Sequence, residues 1–175
     1  LKNAVLTNTN LSGADLTGVD LRYANMTNAD LTGAHINSSS LDGADLTGAS
    51  LKNAELFGVI LSGAKLENAE LNAANLTEVD LQGADLNGSN LTNTILRRVS
   101  LARAEVSGVE FSNAIIYPYF YATFLESCPK SLPDNFTCVE YAENLIYQGY
   151  DYDQRKSVPR HGPLYVIVGP STRFN

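Results

Sequence analysis

From Leu1 onward, the apolar residues of this chain fall on every fifth position. The register runs without a slip through 24 centres, from Leu1 to Ile116; leucine fills 19 of them, and Met26, Ile36, Val106, Phe111 and Ile116 fill the rest. Two residues before a centre stands a small or β-branched residue, such as Ala14, Ala24, Ala44, Ala64, Ala84 and Ala104, or Val19, Val59, Val79, Val99 and Val109. Two residues after it, Gly and Asn predominate, and ten of the 13 glycines lie there.

A period of five fits neither regular element. On a helix, five residues advance about 140°, which spreads the leucines around the axis. On a plain strand, residues five apart point to opposite faces, so half of the leucines would meet water. The pattern is satisfied if the backbone turns once per five residues, with the centre and the small residue inside and the other three outside. Gly and Asn suit the positive φ that tight turns require. Four such turns close a square, and successive coils stack about 4.8 Å apart as a parallel β-solenoid.

The blocks "ADLTG" at Ala14, Ala29 and Ala44, "ANLTE" at Ala74 and "ADLNG" at Ala84 resemble the A(D/N)LXX consensus of the pentapeptide repeat family. The resemblance covers residues 1 to about 118. It implies a right-handed quadrilateral parallel β-helix with four pentapeptides per coil and about six coils, a rod on the order of 28 Å long.

Residues 119–149 break the register and are expected to form a small C-terminal cap, a helical hairpin over the end of the solenoid 1–118. The first helix follows Pro118, with Phe120, Tyr121, Phe124 and Leu125 at helical spacing. The second starts at a capping box, Thr137 with Glu140, carries Val139, Ala142 and Ile146 on one face, and stops at Gly149. Cys128 and Cys138, the two cysteines, lie at the closing ends of this hairpin. That placement suits a disulfide, which persists in an oxidising compartment; the alternative is two separate buried thiols in a reducing one. Residues 150–175 read as an extended tail, in which "PLYVIV" is either a strand along the last coil or an arm that pairs with another molecule.

A formal net charge of −7 argues against neutralisation of nucleic-acid phosphates. No apolar run reaches the length of a membrane span. The chain starts at Leu1 without methionine, which leaves room for a removed leader or cap. Residues 20 apart share a face, so the exterior can be sorted. On the first face Asp20, Asp42 and Asp80 balance Lys2, Arg22 and Arg103. The second carries Asp45, Glu67, Asp85 and Glu105 against Lys65, and the third Asp30, Glu70 and Glu110 against Lys52; these seven carboxylates form the candidate acidic interaction face. The fourth places Phe57, Ile95, Ile115 and Tyr117 outward beside Arg97 and Arg98, a candidate apolar docking column that needs a cover, either the chain's own tail or a partner protein.

No catalytic chemistry stands out. His35 and His161 are far apart, no Cys/His set has metal-ligand spacing, and no phosphate loop or cofactor motif is present. The Asn-x-Ser/Thr sequons at Asn10, Asn25, Asn75 and Asn90 arise from the repeat itself, so they do not imply glycosylation. The reading is therefore a non-enzymatic protein-interaction or scaffold module with flat acidic faces, binding a protein partner in an oxidising compartment. Plastid and cyanobacterial members that the chain resembles place that compartment in the thylakoid lumen; a periplasm is equivalent. The alternative implied by the resemblance is a DNA mimic that occupies the DNA-binding saddle of a type II topoisomerase, DNA gyrase. The short rod, the balanced first face and the cysteine pair favour the first reading.

Overall fold

The computed structural model of the chain describes residues 1–116, 129–130, 137–151 and 156–168. Parallel bridges join each outward residue before a centre to the residue 20 further on, from Val5 with Asn25 through Asn90 with Glu110. There are four bridges per coil, one on each side of a square. Near the end of the ladder they lengthen into two short parallel strands, β1 (Ile95–Leu96) and β2 (Ile115–Ile116).

Each of the five N–H groups in a repeat has an assigned destination, and the repeat around Leu46 shows it. The Leu46 N–H donates to Lys65 O (2.7 Å) and the Gly48 N–H to Glu67 O (2.9 Å), both in the following coil. One bond runs the opposite way across the same gap, from Lys65 N–H to Ala44 O (2.9 Å). The Ala49 N–H closes the turn onto Leu46 O (2.9 Å). The remaining N–H, of Thr47, donates to the side-chain Oδ1 of Asp45 (3.0 Å). This last bond is an Asx turn, and it explains why Asp or Asn so often precedes the leucine. Where glutamate stands there instead, as at Glu55 and Glu105, the coil before supplies the acceptor: Asn37 Oδ1 takes the Phe57 N–H and Asn87 Oδ1 takes the Ser107 N–H, both at 2.8 Å.

The second residue after every centre, from Asn3 to Asn113, has positive φ between 55° and 72°. Closed by the bond from the third residue back to the centre, this is the geometry of a type II turn. Gly and Asn accept it readily, but Tyr23, Glu78, Arg98 and Arg103 adopt it too. A left-handed L-residue costs about 1–2 kcal/mol; at these sites the ladder holds the conformation, as in the Glu78 N–H bond to Arg97 O (2.7 Å).

The centres and the small residues fill the interior. From Leu21 to Phe111 the centres are essentially inaccessible. One corner carries the larger small-position residues in a single column: Val19, Ser39, Val59, Val79 and Val99. The turn bond there is long, 3.2–3.4 Å at Val19, Ser39, Val59 and Val79, against 2.9–3.1 Å where alanine stands. Ser39 is buried within this column and is satisfied, donating its Oγ–H to Leu16 O (2.6 Å) and accepting the Val19 N–H (3.1 Å). At the opening coil the core is less covered, with Leu1 60% exposed and Leu6 and Leu11 half-buried.

The ladder reaches beyond the expected boundary at 118. The Lys130 N–H donates to Val109 O (2.9 Å), the same bond that joins every other pair of coils, one coil length after Glu110. Downstream, the expected second helix is replaced by strand. β3 (Thr137–Asp151) pairs antiparallel with β4 (Lys156–Val168), from Thr137 opposite Val168 to Asp151 opposite Lys156. The correction has a physical basis. Val139, Tyr141, Ile146 and Tyr147 favour strand, and the β-branched run of β4 supplies a partner that a local capping box cannot outweigh. The register shifts between Ala142 and Leu145, and Pro163 falls at that irregularity, where its missing N–H costs no ladder bond. "PLYVIV" thus lies in a strand paired with β3. The first expected helix, after Pro118, lies outside the described residues, as do 152–155 and 169–175.

Candidate functional site

The four faces differ in how their charges are used. On the first, Asp20 grips Arg22 through two bonds, from Nε to Oδ1 (2.9 Å) and from a terminal guanidinium nitrogen to Oδ2 (2.7 Å). Arg22 thereby holds the Asp20 carboxyl well below the usual carboxylate range. Asp80 accepts the Gln82 N–H (3.0 Å) and the Ser62 hydroxyl (3.0 Å). Asp42 goes the other way: burial pushes its carboxyl up.

On the third face the acids meet partners. Asp30 accepts the Thr32 N–H (3.0 Å), and Thr32 lowers its pKa. Glu70 pairs with Lys52 at 3.3 Å and Glu110 with Lys130 at 2.6 Å. Lys130 was missing from the face-by-face reading, although its position 20 residues after Glu110 is a usable signal.

The second face keeps an excess of negative charge. Asp45, Lys65, Asp85 and Glu105 are bridged one above the next, and Glu67 stands beside them. Two of these carboxylates also serve the fold: Asp45 closes the turn onto Thr47 and Asp85 accepts the Asn87 N–H (3.0 Å). Glu105 accepts from Asn87 Nδ2 (3.1 Å). Accepting an N–H leaves each aspartate ionised, so the negative charge survives the structural task.

The fourth face is mixed. His35 is bridged to Asp15 on one side and Glu55 on the other, with Nδ1 2.9 Å from Glu55 Oε2. His35 and Asn37 together hold the Glu55 carboxyl below its usual value. Glu78 pairs with Arg98 at 2.8 Å. Ile95 and Ile115 are brought together as β1–β2 partners, and Ile115 is 52% exposed. Phe57, 45% exposed, is separated from them by the coil bearing Asn75 and Thr77. Tyr117 lies outside the described residues. The sequence reading missed Ile60, which is 41% exposed across the corner from Phe57.

Among the described residues, no three His, Cys, Asp or Glu side chains are placed to hold a metal ion, and no helix is long and apolar enough to cross a membrane. Cys138 lies in β3 opposite Ile167, and Cys128 lies outside the described residues.

Among solved structures, the chain is similar to HetL, a pentapeptide repeat protein involved in heterocyst differentiation regulation in the cyanobacterium Nostoc sp. strain PCC 7120. Identity is 29%, coverage 72% of this chain and 65% of HetL, and the TM-score 0.48. It is also similar to a pentapeptide repeat protein from the Arabidopsis thaliana thylakoid lumen, with 32% identity, 60% and 70% coverage and a TM-score of 0.41. QnrB1, a plasmid-mediated fluoroquinolone resistance protein, is 16% identical, with 65% coverage of each chain and a TM-score of 0.48. No curated protein matches the chain. The family described as pentapeptide repeats matches in eight copies, over residues 1–37, 24–63, 36–72, 54–93 and 74–113. With that match spanning most of a ladder that repeats every 20 residues, the chain belongs to the pentapeptide repeat family, whose members fold as right-handed β-helices.

Proposed function

We propose that the rod is a non-catalytic docking module and that its second face, with Asp45, Glu67, Asp85 and Glu105, is the surface a partner protein reads. The observation that carries this reading is the contrast between faces. The second face carries Asp45, Glu67, Asp85 and Glu105 to one lysine, Lys65, a balance of −3, whereas the third carries Asp30, Glu70 and Glu110 to Lys52 and Lys130, a balance of −1. A rigid backbone fixes their spacing, so a basic partner meets charges already in place. Asp30, Glu70 and Glu110 then form the weaker flank of the same acidic surface.

The compartment belongs to the same proposal. A Cys128–Cys138 disulfide would fit an oxidising space such as a thylakoid lumen or periplasm, and alkylation of the denatured, non-reduced protein would then label neither cysteine.

The test compares pull-down from a lumenal or periplasmic extract by the native protein and by the triple variant Glu67→Gln, Asp85→Asn, Glu105→Gln. Glutamine and asparagine keep the turn and inter-coil acceptors while removing charge. A partner retained equally by both proteins overturns the second-face reading. Gyrase supercoiling, titrated with the native protein beside an albumin control, decides the DNA-mimic alternative: inhibition at low micromolar protein that the triple variant loses would replace the docking reading with it.

A further inference from the structure

The side of the rod carries one apolar feature that the repeat does not need. Along the rod, residues 1–115, the large apolar side chains that are exposed are Leu1 and Val5 in the opening coil, Ile115 near the end of the ladder, and Phe57 with Ile60 midway along. Phe57 and Ile60 belong to a single turn, closed by the Val59 N–H bond to Leu56 O (3.2 Å), so they leave two adjoining faces at one corner. Between them Gly58 adds no side chain, and a Cβ there would meet nothing nearer than Ser38 Oγ at 3.9 Å. The result is a ridge, two apolar knobs with an open saddle.

The ridge is fixed in place. The Phe57 N–H is held by Asn37 Oδ1 (2.8 Å) and the Ile60 N–H by Ser39 O (3.1 Å). At the position before a centre, an Asp or Asn side chain folds back onto its own turn; isoleucine cannot, and it projects outward.

Ile60 is bridged to Ser40 in the preceding coil, two residues before Asp42, and to Asp80 in the following one. The Leu41 N–H, next to Asp42, donates to Ile60 O (2.7 Å). Arg22, whose charge acts on Asp42, makes its hydrogen bonds to both oxygens of Asp20. Asp42 sits in a half-buried position where burial raises its pKa; a backbone hydrogen bond and Arg22 offset part of this, and the charges of Asp80 and Asp20 add to it. A cation delivered by a partner would relieve that cost, and the neighbouring isoleucine and phenylalanine would shield the new pair from water.

We propose that this corner, with Phe57 and Ile60 flanked by Asp42 and Asp80, seats a basic amphipathic segment of a partner protein, its apolar side chains straddling the ridge and a lysine or arginine reaching the two aspartates. The proposal shares with the preceding section the premise that the rod is a docking module, but it places the contact on the corner between the fourth and first faces rather than on the second.

The probe is a synthetic 14-residue amphipathic Leu/Lys peptide, titrated into isotope-labelled full-length protein and followed by amide chemical shifts, with far-UV circular dichroism as the check that each variant is folded. Saturable shifts confined to residues 40–43, 57–62 and 78–82 are expected. Affinity should drop at least tenfold in Phe57→Ser/Ile60→Thr and in Asp42→Asn/Asp80→Asn, and stay within twofold in Asp15→Asn. The corner proposal is overturned if the peptide shifts second-face amides instead, or if the ridge variants bind as the native protein does. The pull-down comparison stands apart from this titration, so one reading can fail while the other holds.

Discussion

Ser39 offers a direct test of how the corners are packed. It is the polar member of a column otherwise made of Val19, Val59, Val79 and Val99, and it is 1% exposed. Ser39→Ala removes the hydroxyl that donates to Leu16 O at 2.6 Å, a loss of about 1 kcal/mol. Ser39→Val loses the same bond but restores the two methyl groups that its column neighbours carry. At about 0.8 kcal/mol per buried carbon, these are worth about 1.6 kcal/mol over alanine. The Val19 N–H remains satisfied in both variants by its turn bond to Leu16 O (3.2 Å). The expected order is therefore valine at or slightly above native, and alanine lowest, with a gap of about 1.5 kcal/mol between the two variants. Urea denaturation followed by far-UV circular dichroism reads this as a shift of the midpoint at constant slope. If Ser39→Val unfolds before Ser39→Ala, the corner is already filled by the hydroxyl and its surroundings. The account of the column as a packing device then fails.

The core ladder makes a second prediction. Leu61, 1% exposed between Leu41 and Leu81, should cost about 2–5 kcal/mol on replacement by alanine, while Leu6→Ala in the half-uncovered opening coil should cost less than half as much; hydrogen exchange of the flanking amides separates local from global opening. Acidification supplies a third. Asp15, Asp20, Asp30 and Glu55 have folded pKa values below their ordinary 3.8 or 4.5, so the stability they contribute is present above those values and is lost as pH falls through the lower folded ones. Asp42 has the opposite sign, since its raised value makes ionisation unfavourable in the folded rod; Asp42→Asn should raise the urea midpoint at neutral pH and leave it unchanged at about pH 3, where both side chains are neutral.

Most of the solenoid was legible because its determinants are local and repeated. The leucine register, the small residue before it and the Gly or Asn after it each report one constraint of the same turn. What the pattern left unstated was the reason for Asp before leucine, which becomes visible only when the N–H of the residue after the centre is traced to Oδ1. The valines read as larger versions of alanine, yet four of the five are spaced in multiples of 20 residues and occupy one corner, so their size is a property of that corner. Ile60 escaped notice because sorting by face separates residues that meet across an edge. The stretch from Thr137 was misread because a capping box and helical spacing are short-range signals, whereas strand pairing depends on residues 156–168, which a local reading does not consult. Lys130 was assigned to a cap by its distance from the last obvious repeat, although it keeps the ladder's register.

The hydrogen-bond ladder also gives the rod a direction. Across each gap and on each side, two N–H groups point toward the later coil and one points back, as the bonds of Leu46, Gly48 and Lys65 show. One peptide dipole per side therefore remains uncancelled, with its positive end toward later residues. In an α-helix the N–H groups point the other way, toward the N-terminus. The two rims of the solenoid are consequently unlike. The rim at the opening coil presents two carbonyls for each amide, and the amides of Val5, Asn10, Asp15 and Asp20 have no bond among the described residues. Two such rims turned toward each other would meet carbonyl to carbonyl. The matching surface is the opposite rim of a coil running in the same sense, so stacking in this architecture is a head-to-tail operation.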